Sequence, residues 1–113
     1  MSAPLAFVPA TGALAALDLL RIEAAGPVLH LRLDRPAKRN AVNDTLVAQL
    51  HTAVVNLPAE TRAIVLTGAG DHFCAGLDLS ELTERSVAEG IVHSRTWHAA
   101  MDAIQFGRVP VVA

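Results

Sequence analysis

The sequence predicts an α/β layered fold, and two observations carry this prediction. Short apolar segments with strand-like patterns are separated by longer segments in which apolar residues recur at helical spacing. Of the 113 residues, 52% are hydrophobic and 18% are charged, a composition that can build a core and excludes a disordered chain. The length corresponds to about one small domain.

Residues 1–17 are expected to form a flexible N-terminal arm, with a helical turn around residues 13–17. The segment carries no Asp, Glu, Lys or Arg. It also lacks the basic start of an export signal, and Pro4 and Pro9 interrupt its apolar run. We therefore expect the folded domain to occupy residues 18–113.

A β-hairpin is predicted next. Apolar and polar residues alternate over residues 20–24 and again over residues 29–33, which is the period of a half-buried strand. Gly26 and Pro27 supply the turn between the two runs.

Helices and further strands follow the hairpin. Residues 37–40 are expected to form a loop, and Asn43 or Asp44 is expected to cap a helix that ends before Pro58. The apolar run 63–66 predicts a strand covered on both faces. A short helix is expected from near Asp78, a longer one over residues 87–106, and another strand from Pro110.

Composition excludes several classes of function. The formal net charge is −2, which gives no reason to expect nucleic acid or an acidic membrane as a partner. Cys74 is the single cysteine, so no internal disulfide can form. The histidines have no metal-ligand spacing, and no apolar run is long enough to cross a membrane. We expect a soluble cytoplasmic protein with no bound metal.

The segment 63–79 carries the chemistry. Gly68-Ala69-Gly70 follows a strand, but Phe73 stands where a dinucleotide fingerprint needs its third glycine, and no Walker lysine follows. Gly76 permits a sharp turn before the expected helix, and Asp78 is a candidate cap for that helix. The N–H of Leu77 would then point outward, where it could stabilise an oxyanion. An ordinary glycine turn before a capped helix is the alternative.

Three segments together resemble the crotonase superfamily, also called the enoyl-CoA hydratase/isomerase family. They are Arg-Pro-Ala-Lys-Arg-Asn-Ala at 35–41, Ile-Val-Leu-Thr-Gly-Ala-Gly at 64–70 and Phe-Cys-Ala-Gly-Leu-Asp-Leu at 73–79. The resemblance covers residues 19–113 and implies the ββα spiral fold shared by ClpP and crotonase. It also implies that this chain holds the N-terminal half of that domain, and that the protein assembles as a homo-oligomer, a trimer or hexamer.

The resemblance implies a coenzyme A (CoA) thioester as substrate and no permanently bound cofactor. It assigns the N–H of Leu77 as one of two oxyanion donors. The implied CoA-binding residues are Ala37, Lys38, Arg39, Ala41, Ala75, Gly76, Leu77, Asp78 and Leu79. Lys38 and Arg39 could meet phosphate oxygens, and with Arg35 they form a local basic patch in an acidic chain.

Hydration of a 2-enoyl-CoA in fatty acid metabolism, a lyase reaction, is the leading activity implied. Double-bond isomerisation, and hydrolysis or dehalogenation of a CoA thioester, are the alternatives within the family. A non-catalytic chain that binds CoA or serves in assembly is a further alternative. In the family, the second oxyanion donor and the acid and base come after the strand that begins here at Pro110. We therefore expect this chain alone to be inactive.

His98 is a stronger candidate for a catalytic role than the other histidines. It follows Trp97 and shares the apolar stripe of its helix, so we expect it to face inward. This spacing is similar to that of a catalytic histidine in the 4-chlorobenzoyl-CoA dehalogenases. A core histidine bonded to a backbone carbonyl is the favoured interpretation. Cys74 is expected to be a small buried residue, and Glu81, Glu84 and Glu89 are expected to be solvated.

Overall fold

The computed structural model describes residues 6–78, 80 and 86–113. Within these residues, five strands form one mixed sheet in the order β1-β2-β3-β4-β5. The strands are β1 Val8–Pro9, β2 Leu20–Ala25, β3 Val28–Leu33, β4 Ala63–Gly68 and β5 Val111–Val112. Two α-helices, α1 Asp44–Val55 and α2 Val87–Phe106, pack against each other. Short 3-10 helices cover Gly12–Ala16 and Pro36–Lys38.

The predicted hairpin is confirmed. β2 and β3 pair antiparallel with Leu20 opposite Leu33 and Ala25 opposite Val28. Gly26 adopts a φ of +57° in the turn, a conformation that costs glycine little and other residues more. The alternating leucines of β3 are buried, which places this strand at the centre of the core.

Residues 6–17 differ from the expected flexible arm. β1 pairs antiparallel with β2, and the expected helical turn is present as the 3-10 helix Gly12–Ala16. The side chain of Leu14 is buried in the core, and this apolar contact holds the segment against the sheet. The sequence analysis did not predict this contact, because a single buried leucine makes no periodic pattern.

The helix α1 connects β3 to β4, which lies parallel to β3. Asn43 caps the helix as predicted, with its Oδ1 accepting a hydrogen bond from the Leu46 N–H at 2.8 Å. One face of α1 is buried, and it comprises Leu46, Val47, Leu50, Ala53 and Val54. The helix ends at Val55, shortly before Pro58.

β4 is less covered than its continuous apolar run suggested. Ile64 is fully buried, whereas Val65 and Leu66 are half-buried. Alternate residues of a strand point to opposite faces, so Ile64 and Leu66 share a face, and this is the face that packs with the core.

The helix α2 has its predicted bounds, and β5 begins at Val111, one residue after the predicted start at Pro110. Ser86 caps α2, and Ala100 is fully buried against the core. The helix also presents large exposed apolar side chains, namely Val87, Ile91, Val92, Met101 and Phe106. The short helix expected from near Asp78 falls largely outside the described residues. Among the described helices, none is long and apolar enough to cross a membrane.

Candidate functional site: a cleft between residues 37–41 and 75–78

The loop before α1 is tied to the turn after β4 by the buried side chain of Asn40. Its Nδ2 donates to the carbonyl oxygens of Ala69 at 2.9 Å and His72 at 2.7 Å. Its Oδ1 accepts from the Arg35 N–H at 2.9 Å. Asn40 is fully buried and adopts a φ of +58°, which asparagine tolerates better than most residues. One side chain thus fixes the two segments relative to each other.

Gly68 makes this close approach possible. A Cβ atom at Gly68 would overlap the carbonyl oxygens of His72 and Phe73, and would lie 2.8 Å from the Asn40 Nδ2. Only a residue without a side chain lets the turn fold back over the end of β4.

Beyond the turn, residues 75–78 lie beside residues 39–42 as a short parallel pair. Val42 and Leu77 form a parallel bridge. The Val42 N–H donates to the Gly76 carbonyl at 2.7 Å, and the Asp78 N–H donates to the Val42 carbonyl at 2.9 Å. The Ala75 N–H donates to the Arg39 carbonyl at 3.0 Å. These bonds join the two segments that the sequence picked out separately.

The N–H of Leu77 points away from this pair. Val42 makes both bonds of this parallel bridge, to the residues on either side of Leu77, so the Leu77 N–H points to the opposite side. Within the described part of the chain, the Leu77 N–H has no acceptor. Gly76 precedes it with a φ of +92°, which turns the backbone here. The arrangement leaves one fixed donor at the edge of the cleft.

A partly buried ion pair lies next to this backbone pair. Arg35 Nη2 lies 3.1 Å from Asp78 Oδ2, and Arg35 Nη1 donates to the Ala41 carbonyl at 2.6 Å. The hydroxyl and the N–H of Ser80 both donate to Asp78 Oδ1, at 2.7 and 3.0 Å. The bonds from Ser80, together with the Arg35 guanidinium, hold the pKa of the Asp78 carboxyl below its ordinary value.

The cleft between the two segments has a volume of about 410 Å³. It is lined by Ala37, Lys38, Arg39, Ala41, Ala75, Leu77 and Asp78. Lys38 and Arg39 are exposed at its edge, and Arg39 adopts a φ of +53°. Since Arg35 already neutralises Asp78, the cleft carries the positive charge of the other two side chains.

The structure therefore brings together seven of the nine residues of the implied binding set. Gly76 lies within the same backbone pair, and Leu79 lies outside the described residues. Arg35 differs from its expected place in the basic patch, because its guanidinium is half-buried against Asp78. Cys74 is half-buried, and its Sγ accepts from the Gly76 N–H at 3.4 Å.

The prediction that His98 faces inward is wrong for the described chain, in which its side chain is exposed. The packed face of α2 is set by Trp97, Ala100, Ala103 and Ile104. Ile91 and Met101, which defined the expected stripe, are themselves 48% and 42% exposed. Their spacing identified an apolar stripe that the described chain leaves uncovered.

A second cavity of about 420 Å³ lies between the N-terminal parts of α1 and α2. Its lining includes Asp44, Val92 and His93, and none of the residues predicted for the site. His93 Nδ1 lies 2.9 Å from Asp44 Oδ1, although the ring is not oriented for a hydrogen bond. Among the described residues, no cluster of three His, Cys, Asp or Glu side chains could hold a metal ion.

Sequence reasoning missed the roles of Asn40 and Arg35. Both were visible inside the 35–41 motif, but they were assigned to a loop and to an anion patch. The available signal for Asn40 was an asparagine in a predicted loop, because asparagine adopts left-handed backbone conformations and bonds to nearby backbone groups more often than most residues.

Comparison with known proteins gives the same family for most of the chain. The sequence model of the enoyl-CoA hydratase/isomerase family matches residues 23–113. A peroxisomal Δ3,5-Δ2,4-dienoyl-CoA isomerase of Arabidopsis thaliana is 30% identical in an alignment that covers 86% of this chain and 40% of the relative.

Solved structures agree. A protein of Rhodopseudomonas palustris CGA009, provisionally named an enoyl-CoA hydratase, is 51% identical with a TM-score of 0.80 over 89% of this chain and 39% of that one. A protein of Thermobifida fusca YX with the same provisional name, solved in complex with CoA, shares the fold at 24% identity, with a TM-score of 0.70 over 86% of this chain and 41% of that one. The chain thus spans about two-fifths of the length of these relatives.

The Asn40 contacts predict a specific response to a nearly isosteric change. Asn40→Asp replaces the amide donor with an oxygen that faces two carbonyl oxygens in a buried site. We expect the free energy of unfolding to fall by about 3 kcal/mol, as for a buried charged group left without its partners. Urea denaturation at neutral pH measures the change.

Asn43→Asp is the matched control, because the Asn43 side chain accepts its hydrogen bond at a helix N-terminus, which favours negative charge. We expect this variant to be as stable as the wild type or slightly more stable. Equal losses for the two variants would contradict the assigned role of Asn40.

The lowered pKa of Asp78 predicts an acid-sensitive contribution to stability. Because the folded-state pKa lies below the unfolded value, the stabilisation is present above about pH 4 and is lost as the pH falls through the folded-state pKa. The difference in unfolding free energy between the wild type and Asp78→Asn should therefore be largest near neutral pH and shrink in acid. Ser80→Ala should weaken this pH dependence, and a difference independent of pH would refute it.

Proposed function

The chain belongs to the enoyl-CoA hydratase/isomerase family, and from this premise we propose that the cleft binds a CoA thioester and that the Leu77 N–H stabilises negative charge on the thioester oxygen. The observation that carries the proposal is the outward N–H of Leu77, held by the Val42 bridge next to a cleft edged with cations. The crotonase-fold neighbour solved with CoA supports the choice of ligand.

The geometry suits an oxyanion because the donor is fixed before any ligand arrives. Two bonds of the bridge hold the residues on either side of the Leu77 N–H. A preorganised donor of this kind does not have to reorient as charge develops, so it stabilises the transition state more than the ground state. The side chain of Leu77 is 39% exposed and contributes little to the core.

The charges suit the CoA moiety. CoA carries phosphate and pyrophosphate groups, and the exposed Lys38 and Arg39 can donate charge-assisted hydrogen bonds to them. Neither side chain takes part in an ion pair within the described residues. The Ala75 and Gly76 backbone is assigned to the adenine end, as the resemblance implies, with Ala37, Ala41, Asp78 and Leu79 completing the binding set.

We assign the complete enzyme to hydration of a 2-enoyl-CoA, with double-bond isomerisation as the second candidate. The provisional name of the Rhodopseudomonas relative favours a hydratase, and the Arabidopsis relative is named as an isomerase. Both reactions pass through an enolate-like thioester, so the same N–H serves either. Since the chain spans two-fifths of these relatives, we propose that the second donor, the acid and the base lie in further sequence.

We further propose that the complete protein is a cytoplasmic homo-oligomer, a trimer or hexamer. The resemblance implies this assembly, and the exposed apolar side chains of α2 are compatible with burial against more protein. His98 is assigned no catalytic role.

Lys38→Gln should weaken CoA binding about threefold to tenfold, because it removes one charge from the cleft edge. In the complete enzyme the KM should rise while kcat at saturation is retained, since the phosphate contact is the same in ground and transition states. Isothermal titration of CoA at two salt concentrations measures the loss in this chain directly.

Arg95→Gln removes the same charge from the exposed surface of α2 and should leave CoA affinity unchanged. If both substitutions weaken binding equally, the effect is one of net charge, and Lys38 does not contact CoA. If kcat falls with KM unchanged, Lys38 belongs to the chemistry instead.

Leu77→Pro deletes the proposed oxyanion donor and should lower kcat for crotonyl-CoA hydration by about 10²–10³-fold in the complete enzyme. Replacing the amide with an ester at Leu77 removes the same N–H without a ring, which separates loss of the donor from misfolding. Loss of the substrate's conjugated thioester absorbance gives the rate.

Leu77→Ala keeps the N–H and shortens the side chain, so it should retain most of the activity. Full turnover by a folded ester or proline variant would rule out Leu77 as the donor. A loss in the alanine variant equal to that in the ester variant would point to the side chain.

A further inference from the structure

We infer that Arg35 is a positioning residue for the oxyanion donor: its guanidinium clamps both sides of the Val42–Leu77 bridge and neutralises the carboxylate next to the Leu77 N–H. This inference rests on the proposed function. Arg35 was expected to belong to a basic patch with Lys38 and Arg39, and the structure instead pairs it with Asp78 and the Ala41 carbonyl.

The clamp spans the two paired segments. Arg35 Nη1 donates to the Ala41 carbonyl at 2.6 Å, and Arg35 Nη2 lies 3.1 Å from Asp78 Oδ2. Ala41 precedes Val42, and Asp78 follows Leu77. The planar guanidinium therefore links the segment 39–42 to the segment 75–78 across the bridge. A lysine ammonium is a single point of charge and lacks the fixed fork geometry.

The clamp is shielded from solvent. The side chains of Arg35 and Asp78 are 14% and 9% exposed, respectively. Charge-assisted bonds in such a site are stronger and less screened than at the surface, so the pair can define the position of the backbone it connects. Loss of Arg35 would leave the Ala41 carbonyl and one Asp78 oxygen without this partner.

The charge of Asp78 makes the neutralisation necessary. The bonds from Ser80 keep Asp78 ionised, and Asp78 is adjacent to the residue whose N–H would face the thioester oxygen. An ionised carboxylate so close to the site opposes negative charge developing there, because partly buried charges are weakly screened. The positive charge of the Arg35 guanidinium offsets the negative charge of Asp78. It does so at Asp78 Oδ2, so the Ser80 contacts with Oδ1 remain in place.

Arg35→Met is the primary test, because it keeps the aliphatic stem and removes both the fork and the charge. In the complete enzyme we expect kcat for crotonyl-CoA to fall at least about tenfold, with a smaller change in KM. Arg35→Lys should recover part of the loss through its charge. Arg21→Met, which breaks the exposed pair between Arg21 and Glu23, should leave kcat unchanged.

The double variant Arg35→Met/Asp78→Asn separates charge from packing. The introduced asparagine side chain retains an oxygen for Ser80 but carries no charge, so we expect kcat to rise above that of Arg35→Met alone. No such rise would overturn neutralisation as the role of Arg35. Circular dichroism melting confirms that each variant is folded at the assay temperature.

A spectroscopic readout distinguishes failure of this inference from failure of the proposed function. Butyryl-CoA labelled with ¹³C at the thioester carbonyl is saturated and cannot be hydrated. Its C=O stretch should shift to lower frequency on binding the wild type, less on binding Arg35→Met, and again more on binding the double variant. Wild-type binding without any shift, or no binding, would overturn the proposed function and this inference with it. A wild-type shift that Arg35→Met leaves unchanged would overturn this inference alone.

Discussion

The site depends on one constraint: two carbonyl oxygens of the turn after β4 must be brought against the loop before α1, and a buried amide must satisfy both. Asn40 meets this requirement with its Nδ2, while Gly68 leaves the space for the turn to fold back. Buried polar groups without partners are costly, so the Asn40 contacts specify one arrangement of the two segments. The bridge from Val42 to Leu77 then follows in register.

This arrangement is built from backbone geometry and uses few reactive side chains. The parallel bridge commits the amides of Val42 and Asp78 and sends the Leu77 N–H to the other side. The Gly76 backbone turns there with a positive φ, and the Arg35 guanidinium contacts the Ala41 carbonyl and the Asp78 carboxylate. Lys38 and Arg39 remain at the exposed edge, where they can meet an anionic ligand. None of these features depends on a nucleophilic side chain; each depends on a backbone conformation or a contact.

Much of the fold was predictable because it follows local patterns. The leucines of β3 alternate, the apolar residues of α1 recur at helical spacing, and Asn43 caps α1 as capping rules predict. The packing of Leu14 was not predictable, since one buried leucine has no period. His98 was misplaced because a helical stripe indicates which residues share a face, but not which face the described chain covers.

The proposed binding set rests on family resemblance, while the arrangement of its residues needed the structure. Residues 37–41 and 75–78 are far apart in sequence, and no spacing rule joins them. The pairing of Arg35 with Asp78 likewise spans 43 positions. The charge pattern placed Arg35 in an anion-binding patch, because a sequence pattern cannot show that the Asp78 carboxylate already pairs with Arg35.

The role of the Leu77 N–H can be tested by a crystal structure of the complete protein with a bound, unreactive acyl-CoA. We expect the thioester oxygen to lie about 2.7–3.1 Å from the Leu77 nitrogen, with CoA phosphates near Lys38 and Arg39. A thioester oxygen bound by other donors, or CoA bound in the cavity beside Asp44 and His93, would overturn the proposed site.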